Sequence, residues 1–317
     1  MRHPPFPGFR TVHAPFKEAH TVKRTTTAPP VGEVPTAFGI STAPDGVPVA
    51  PMLSMFDPMF IGIDEFGQAV TLDLVFHNIL VGGEPGGGKS GLLNTITAYA
   101  AMADNTRLVL FDGKLVELGP WMDIADEFVG PDLEHALSVL RRLQVVINNR
   151  YAWLRAQRRR KLDRQDRMSV ILVVLDELAL YSATYGTKDQ REEFDRLLRD
   201  VVARGRACGV PVVAATQRPS VDIIPTSLRD LFGYRAAFRC TTINSSDIVL
   251  GRDWASQGYS ASDIDPENRG MAYLLAETGV PRRIKAAYLN DAEIYQIADY
   301  MAWIRRTNTT ALSGTAA

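Results

Sequence analysis

Residues 83–90 read GEPGGGKS, behind the short apolar run Asn78-Ile79-Leu80-Val81 and ahead of GLLNTITAYAAMA. Gly83, Gly88, Lys89 and Ser90 satisfy G-x-x-x-x-G-K-[ST]. A buried strand before and a helix after supply the context in which that spacing holds phosphate. The residue types dictate the chemistry. The loop Gly83-Glu84-Pro85-Gly86-Gly87-Gly88 can turn successive backbone N–H groups inward around a β-phosphate, with the positive end of the next helix behind them. Lys89 then reaches the β- and γ-phosphates, and the Ser90 hydroxyl ligates Mg²⁺. A plain glycine-rich turn is the bland alternative, but such a turn needs neither the Lys-Ser pair nor the flanking elements. The expected ligands are ATP and Mg²⁺.

A second constellation follows. The run Val170–Leu175 has six apolar residues and ends in Asp176-Glu177. A carboxylate at that strand end can hold Mg²⁺ through water, and the next can orient and deprotonate an attacking water. Kinases built on the same loop usually lack a catalytic glutamate there, so the pair points to a motor-type ATPase of the RecA-like kind.

The elements that must position these groups can be read from periodicity. Phe60–Asp64 and Ala69–Leu74 form a hairpin across Glu65-Phe66-Gly67. TRLVLFDGK (106–114) is a strand ending in Asp112. Leu140, Leu143, Ile147, Tyr151 and Leu154 recur at spacings of 3, 4, 4 and 3, one face of a long helix. Residues 170–178 read as a strand buried on both faces, as parallel sheets require. Phe194, Leu197/Leu198 and Val201/Val202 mark a helix ending near Gly205. Strands are expected at 210–217, 234–239, 271–275 and around 284–289, then a helix from Asp291 opened by Asn290 and Glu293 as a capping box. Strands separated by helices predict an α/β fold, a mainly parallel sheet covered on both faces.

The whole chain bounds these readings. Its 317 residues are 46% hydrophobic and carry a net charge of −1, so no global basic field marks a protein that coats nucleic acid. A local positive lining is still open to it. Cys208 and Cys240, its two cysteines, suit a reducing cytoplasm. No signal peptide and no apolar stretch of ~20 residues is present. Residues 1–50 hold nine of 19 prolines and three of five histidines, His3, His13 and His20. Their spacing suits scattered arm histidines better than a metal site, and the segment reads as a largely disordered arm. The expected domains are that arm, a nucleotide-binding core over 51–290, a helix over 291–306 and a disordered tail over 307–317. Arg141 to Arg167 holds ten Lys or Arg against Asp163 and Asp166, either a phosphate-binding face or a solvated helix end.

Longer segments carry a family likeness. FDGKLVELGPW (111–121), RACGVPVVAATQRPSVDIIP (206–225) and RAAFRCTT (235–242), in their order and spacing behind the phosphate loop, resemble the FtsK/SpoIIIE family of DNA translocases. The likeness spans roughly 55–290 and implies a P-loop NTPase with a RecA-like (ASCE) core that hydrolyses ATP to move double-stranded DNA as a hexameric ring. GRDWASQGYSASDIDPENRGMAYLL (251–275) and VPRRIKAAYL resemble the compact actinomycete transfer (Tra) proteins of conjugative elements. By position, the resemblance makes Gln217 a γ-phosphate sensor, with a capping or turn residue as the alternative. It makes Arg206 the arginine that enters a neighbouring subunit's ATP. Arg204, Arg218 and Arg239 are lesser candidates, read as surface or DNA-facing cations. Asp112 and Glu117 match D-x-K-x-V-E-L without a chemical role. Large members carry membrane spans and a terminal winged helix; one helix after residue 290 is too little for the latter, so a cytoplasmic motor recruited by membrane-associated transfer proteins is expected. The alternatives are a chromosome-partition motor, a secretion ATPase of the FtsK-like kind, and a DNA-binding module that does not hydrolyse nucleotide.

Overall fold

The computed structural model describes residues 53–313 apart from 167 and 278, with side chains through 305. The proline-rich arm with its three histidines lies outside the described residues, as do residues 314–317. In chain order the strands are β1 (Met59–Asp64), β2 (Ala69–Leu72), β3 (Ile79–Gly82), β4 (Thr106–Phe111), β5 (Glu127–Val129), β6 (Val170–Leu175), β7 (Val212–Thr216), β8 (Tyr234–Phe238), β9 (Met271–Leu275) and β10 (Arg282–Ala286). The helices are α1 (Lys89–Met102), α2 (Leu133–Ala156), α3 (Lys188–Gly205), α4 (Thr226–Arg229), α5 (Ile243–Leu250) and α6 (Asp291–Ser313).

The ten strands among the described residues form one sheet in the order β2-β1-β10-β9-β8-β3-β7-β6-β4-β5. From β8 to β5 the pairing is parallel, and from β8 to β2 it is antiparallel. The expected hairpin of β1 and β2 is present, at the antiparallel edge and not beside β3.

Central strands are buried on both faces because alternate residues serve two cores. Ile79, Val81, Val170, Leu172 and Val174 join the core under α1 and α6; Leu80, Ile171, Val173 and Leu175 join the core under α2, α3 and α5. The predicted face of α2 is the one buried: Leu140, Leu143, Ile147 and Leu154 are covered and Tyr151 is half-buried. The capping box that opens α6 is formed, Asn290 N–H donating to Glu293 Oε2 (2.8 Å) and Glu293 N–H to Asn290 Oδ1 (3.0 Å). The C-terminal boundary differs from expectation. The backbone of α6 runs past 306 to Ser313, because a nucleated helix gains one backbone bond for each residue added, even a polar one.

Candidate nucleotide site

Parallel pairing brings the C-terminal ends of β8, β3, β7 and β6 side by side at one sheet edge, in that order. The loop Gly83–Gly88 leaves β3 there and enters α1 at Lys89. Glycine is required for two reasons. Gly88 has φ 112, and a Cβ on it would lie 2.6 Å from the backbone of Gly270. Gly83 has φ 145, and its Cβ would meet Phe238 Cβ at 2.8 Å. The loop is clamped between its own helix and the ends of β8 and β9, so neither conformation nor space admits a side chain.

Lys89 is buried, and its ammonium donates to the Glu84 carbonyl oxygen at 2.6 Å. Burial lowers its pKa to about 8, against the opposing pull of Glu177 and Asp176. Those two carboxylates favour its charged form.

Asp176 and Glu177 end β6 and are both buried, but their surroundings differ. Asp176 Oδ2 is buried and accepts no hydrogen bond in the structure. Burial first, then Asp112 and Glu117, push its carboxyl up to about 7. An orphaned carboxylate oxygen with Lys89 and further carboxylates nearby, at the sheet end where Ser90 opens the first turn of α1, fits a divalent cation, which would relieve this penalty. Among the described residues no group of three or more His, Cys, Asp or Glu could hold a metal ion, so Mg²⁺ would rest on Asp176, Ser90 and oxygens of the nucleotide and water.

Glu177 is fully engaged. Its Oε1 accepts from the Thr216 hydroxyl (2.7 Å) and Ala179 N–H (3.1 Å), and its Oε2 accepts from Gln217 N–H (2.8 Å). Thr216 and Gln217 lie at the end of β7, the strand inserted between the loop strand and the acid-pair strand. Gln217 therefore lies beside Glu177, bonded to it through its backbone N–H. Thr216 is a functional candidate that pattern reading missed. The available signal was a hydroxyl closing an otherwise apolar strand immediately before Gln217.

Other expected residues separate. Asp112 Oδ1 accepts from Lys114 and Leu115 N–H, and Oδ2 from Leu118 N–H, so Asp112 shapes the turn after β4. Arg239, expected on the surface, instead follows β8 beside the loop and pairs with Glu84 at 2.6 Å. The Glu84 N–H also donates to the Arg239 carbonyl (2.8 Å). Arg206 does not join the site. It precedes β7, at the N-terminal edge of the parallel strands, and pairs with Glu277 at 2.8 Å. Arg204 pairs with Asp200 and Arg218 with Asp222.

A model of the FtsK/SpoIIIE family matches residues 54–170. The DNA translocase FtsK of Borreliella burgdorferi is 28% identical over 261 residues, covering 76% of this chain and 31% of that protein. That of Chlorobaculum tepidum is 29% identical over 269 residues, covering 78% of this chain and 32% of that protein. The chain therefore spans about a third of the length of these curated relatives. Among solved structures, the pCW3 conjugation coupling protein TcpA, in monomer form with ATPγS, shares the fold. Its TM-score is 0.67 at 22% identity, over 77% of this chain and 70% of that one. The cytoplasmic domain of the Thermomonospora curvata type VII secretion ATPase EccC gives 0.60 at 25% identity, over 77% of this chain and 30% of that one. With the inserted strand and the phosphate loop, these likenesses make the fold a RecA-like P-loop core.

Proposed function

From the likeness to the FtsK/SpoIIIE family and to proteins named as DNA translocases, we propose that this chain is an ATP-driven double-stranded DNA translocase that acts as a ring, in conjugative transfer of a mobile element.

 We assign conjugation from the likeness of residues 251–275 to conjugative transfer proteins. The observation that carries the DNA reading is the match of three quarters of this chain to proteins named as DNA translocases. Neighbours in fold divide between a conjugation coupling protein and a secretion ATPase, so fold alone does not choose the substrate.

In the proposed mechanism, the backbone of Gly83–Gly88 and the start of α1 cradle the phosphates, and Lys89 leaves the Glu84 carbonyl to meet the β- and γ-phosphates. Ser90 and Asp176 would hold Mg²⁺, which supplies charge neutralisation on the transferring phosphoryl group. Glu177, held by Thr216 and the Gln217 N–H, orients the attacking water and accepts its proton. The Gln217 side chain senses the γ-phosphate, and Arg206 serves the neighbouring subunit's site.

Phosphate release, measured with random-sequence duplex at rising salt, tests the substrate. Duplex should stimulate hydrolysis several-fold whatever its sequence, and the stimulation should fade with salt as phosphate contacts are lost. The EccC likeness supports a second reading, a secretion ATPase. Stimulation by a peptide with no response to any duplex would establish that reading and overturn ours.

A further inference from the structure

Among the described residues, the basic run that starts at Arg141 divides in the fold into cations that are paired and cations that are exposed. Arg141 pairs with Glu193, Arg142 with Glu127, Arg159 with Asp166 and Arg164 with Asp57. Arg150 is buried and donates to the carbonyls of Cys208, Gly209 and Ser169. Arg155, Arg158 and Arg160 are exposed and have no acidic partner among the described residues.

These three converge with Arg159 on one cleft of about 670 Å³, which Tyr151 and Asn148 also line and no carboxylate enters. The favourable field at a helix C-terminus explains a cation in the last turn of α2, and so explains Arg155. It does not explain Arg158 and Arg160, which lie beyond the helix. Arg158 moreover holds φ 55, a conformation that glycine would adopt at lower cost. Three arginines without an acidic partner among the described residues line this concave surface, and a guanidinium can meet phosphate oxygens in a bidentate way.

We propose that Arg155, Arg158 and Arg160 form a contact surface for the phosphate backbone of duplex DNA, at the sheet edge opposite the nucleotide loop. The proposal rests on the DNA reading above and names where that substrate touches the chain. The cleft lies where α2 ends, beside the start of β6, whereas the phosphate loop follows the C-terminal end of β3. Nucleotide and duplex would therefore bind at separate ends of the same sheet.

The test compares the full chain with a triple variant, Arg155→Gln, Arg158→Gln and Arg160→Gln. A control triple, Arg141→Gln, Arg196→Gln and Arg252→Gln, removes the same charge elsewhere on the surface. The readouts are affinity for a fluorescent random 30-base-pair duplex across salt, and ring mass in solution. The cleft triple should bind roughly tenfold to a hundredfold more weakly, with a salt slope shallower by about 3, one phosphate for each arginine. The control triple should change affinity by less than about threefold. If the wild-type chain binds duplex and the cleft triple binds it as tightly and with the same slope, this surface is wrong while the DNA reading stands. If the wild-type chain binds no duplex, the DNA reading fails first. Loss of ring mass by the cleft triple, with the affinity of its remaining rings intact, would make the cleft a contact between copies of the chain and overturn the proposal.

Discussion

At the residue scale, the site turns on how Glu177 is held. Both its oxygens accept hydrogen bonds from fixed donors on β7 or its own turn, so its direction is set before nucleotide arrives. Thr216→Val keeps the volume and removes the hydroxyl. We expect kcat to fall roughly tenfold to a hundredfold, the scale of a misplaced catalytic group, with affinity for ATPγS changed by less than about twofold. Thr216→Ser should restore most of the loss; equal activity of Val and wild type would remove Thr216 from the mechanism. Glu177→Gln should bind ATP and retain it, since an amide cannot take the proton. Lys89 supplies a pH prediction. Its ammonium has a pKa of about 8 when buried in the ligand-free loop, and phosphates favour the charged form. ATP affinity should therefore fall as pH rises past about 8, and Lys89→Met should abolish that dependence. The sign for folding is the reverse: between about 8 and 10.5 the unfolded chain binds the extra proton, so this group adds stability as pH rises.

At the element scale, α2 and the strands on either side of its C-terminal end are tied by a single guanidinium. Arg150 donates to Cys208 and Ser169, both at 2.7 Å, bridging the turn before β7 to the residue before β6. Burial lowers its pKa to about 10, which leaves it charged at neutral pH. Arg150→Met fills the space but leaves those carbonyls without their donor. The expected cost is about 2–3 kcal/mol, a melting temperature lower by roughly 3–6 °C for a chain of this length. Arg150→Lys should recover little, because one ammonium does not span the fork. A change below about 1 °C on thermal melting would show that the bridge carries no stability. The face of α2 was legible from its 3, 4, 4, 3 spacing, and β6 from its apolar run, because both patterns are local. The five-residue π-helical turn Leu180–Thr184 was not legible. It depends on contacts such as Tyr181 OH donating to the Val129 and Gly130 carbonyls, which lie far away in sequence.

At the scale of the whole molecule, the question is what Arg206 serves. The fold puts it at the edge away from its own phosphate loop, and Glu277 pairs with it in the same subunit. That pair is exposed at 41% and 45%, and exposed pairs of this kind contribute little stability. If Arg206 exchanges Glu277 for a neighbour's γ-phosphate, hydrolysis depends on ring assembly. Arg206→Ala and Lys89→Ala subunits should each be nearly inactive alone, and mixing them should restore part of the turnover, since an intact loop then meets an intact Arg206. Arginine fingers are worth ~10³–10⁵ in rate, so partial recovery is readily measured. Mixed rings that form and recover nothing, or normal hydrolysis by Arg206→Ala alone, would return Arg206 to its ion pair with Glu277.

By itself the sequence determined the phosphate loop, the acid pair Asp176-Glu177, the long helices α1, α2, α3 and α6 and every strand but β5, because each is encoded in contiguous residue types or in a period of 2 or 3.6; the short helices α4 and α5 carried no such pattern. The family likeness was carried the same way, by unbroken segments such as ATQRPS. Only the tertiary structure decided which strands are neighbours. The chain makes β6 before β7, yet β7 lies between β3 and β6, and that insertion is what gives Glu177 its partners Thr216 and Gln217. The same is true of charge. The sequence shows a run of cations, but whether each is spent on a carboxylate, a carbonyl or nothing depends on residues brought from elsewhere, as Arg239 with Glu84 and Arg150 with Cys208 demonstrate. Pairings between distant segments are settled by packing and crossover connections, which leave no local pattern to read.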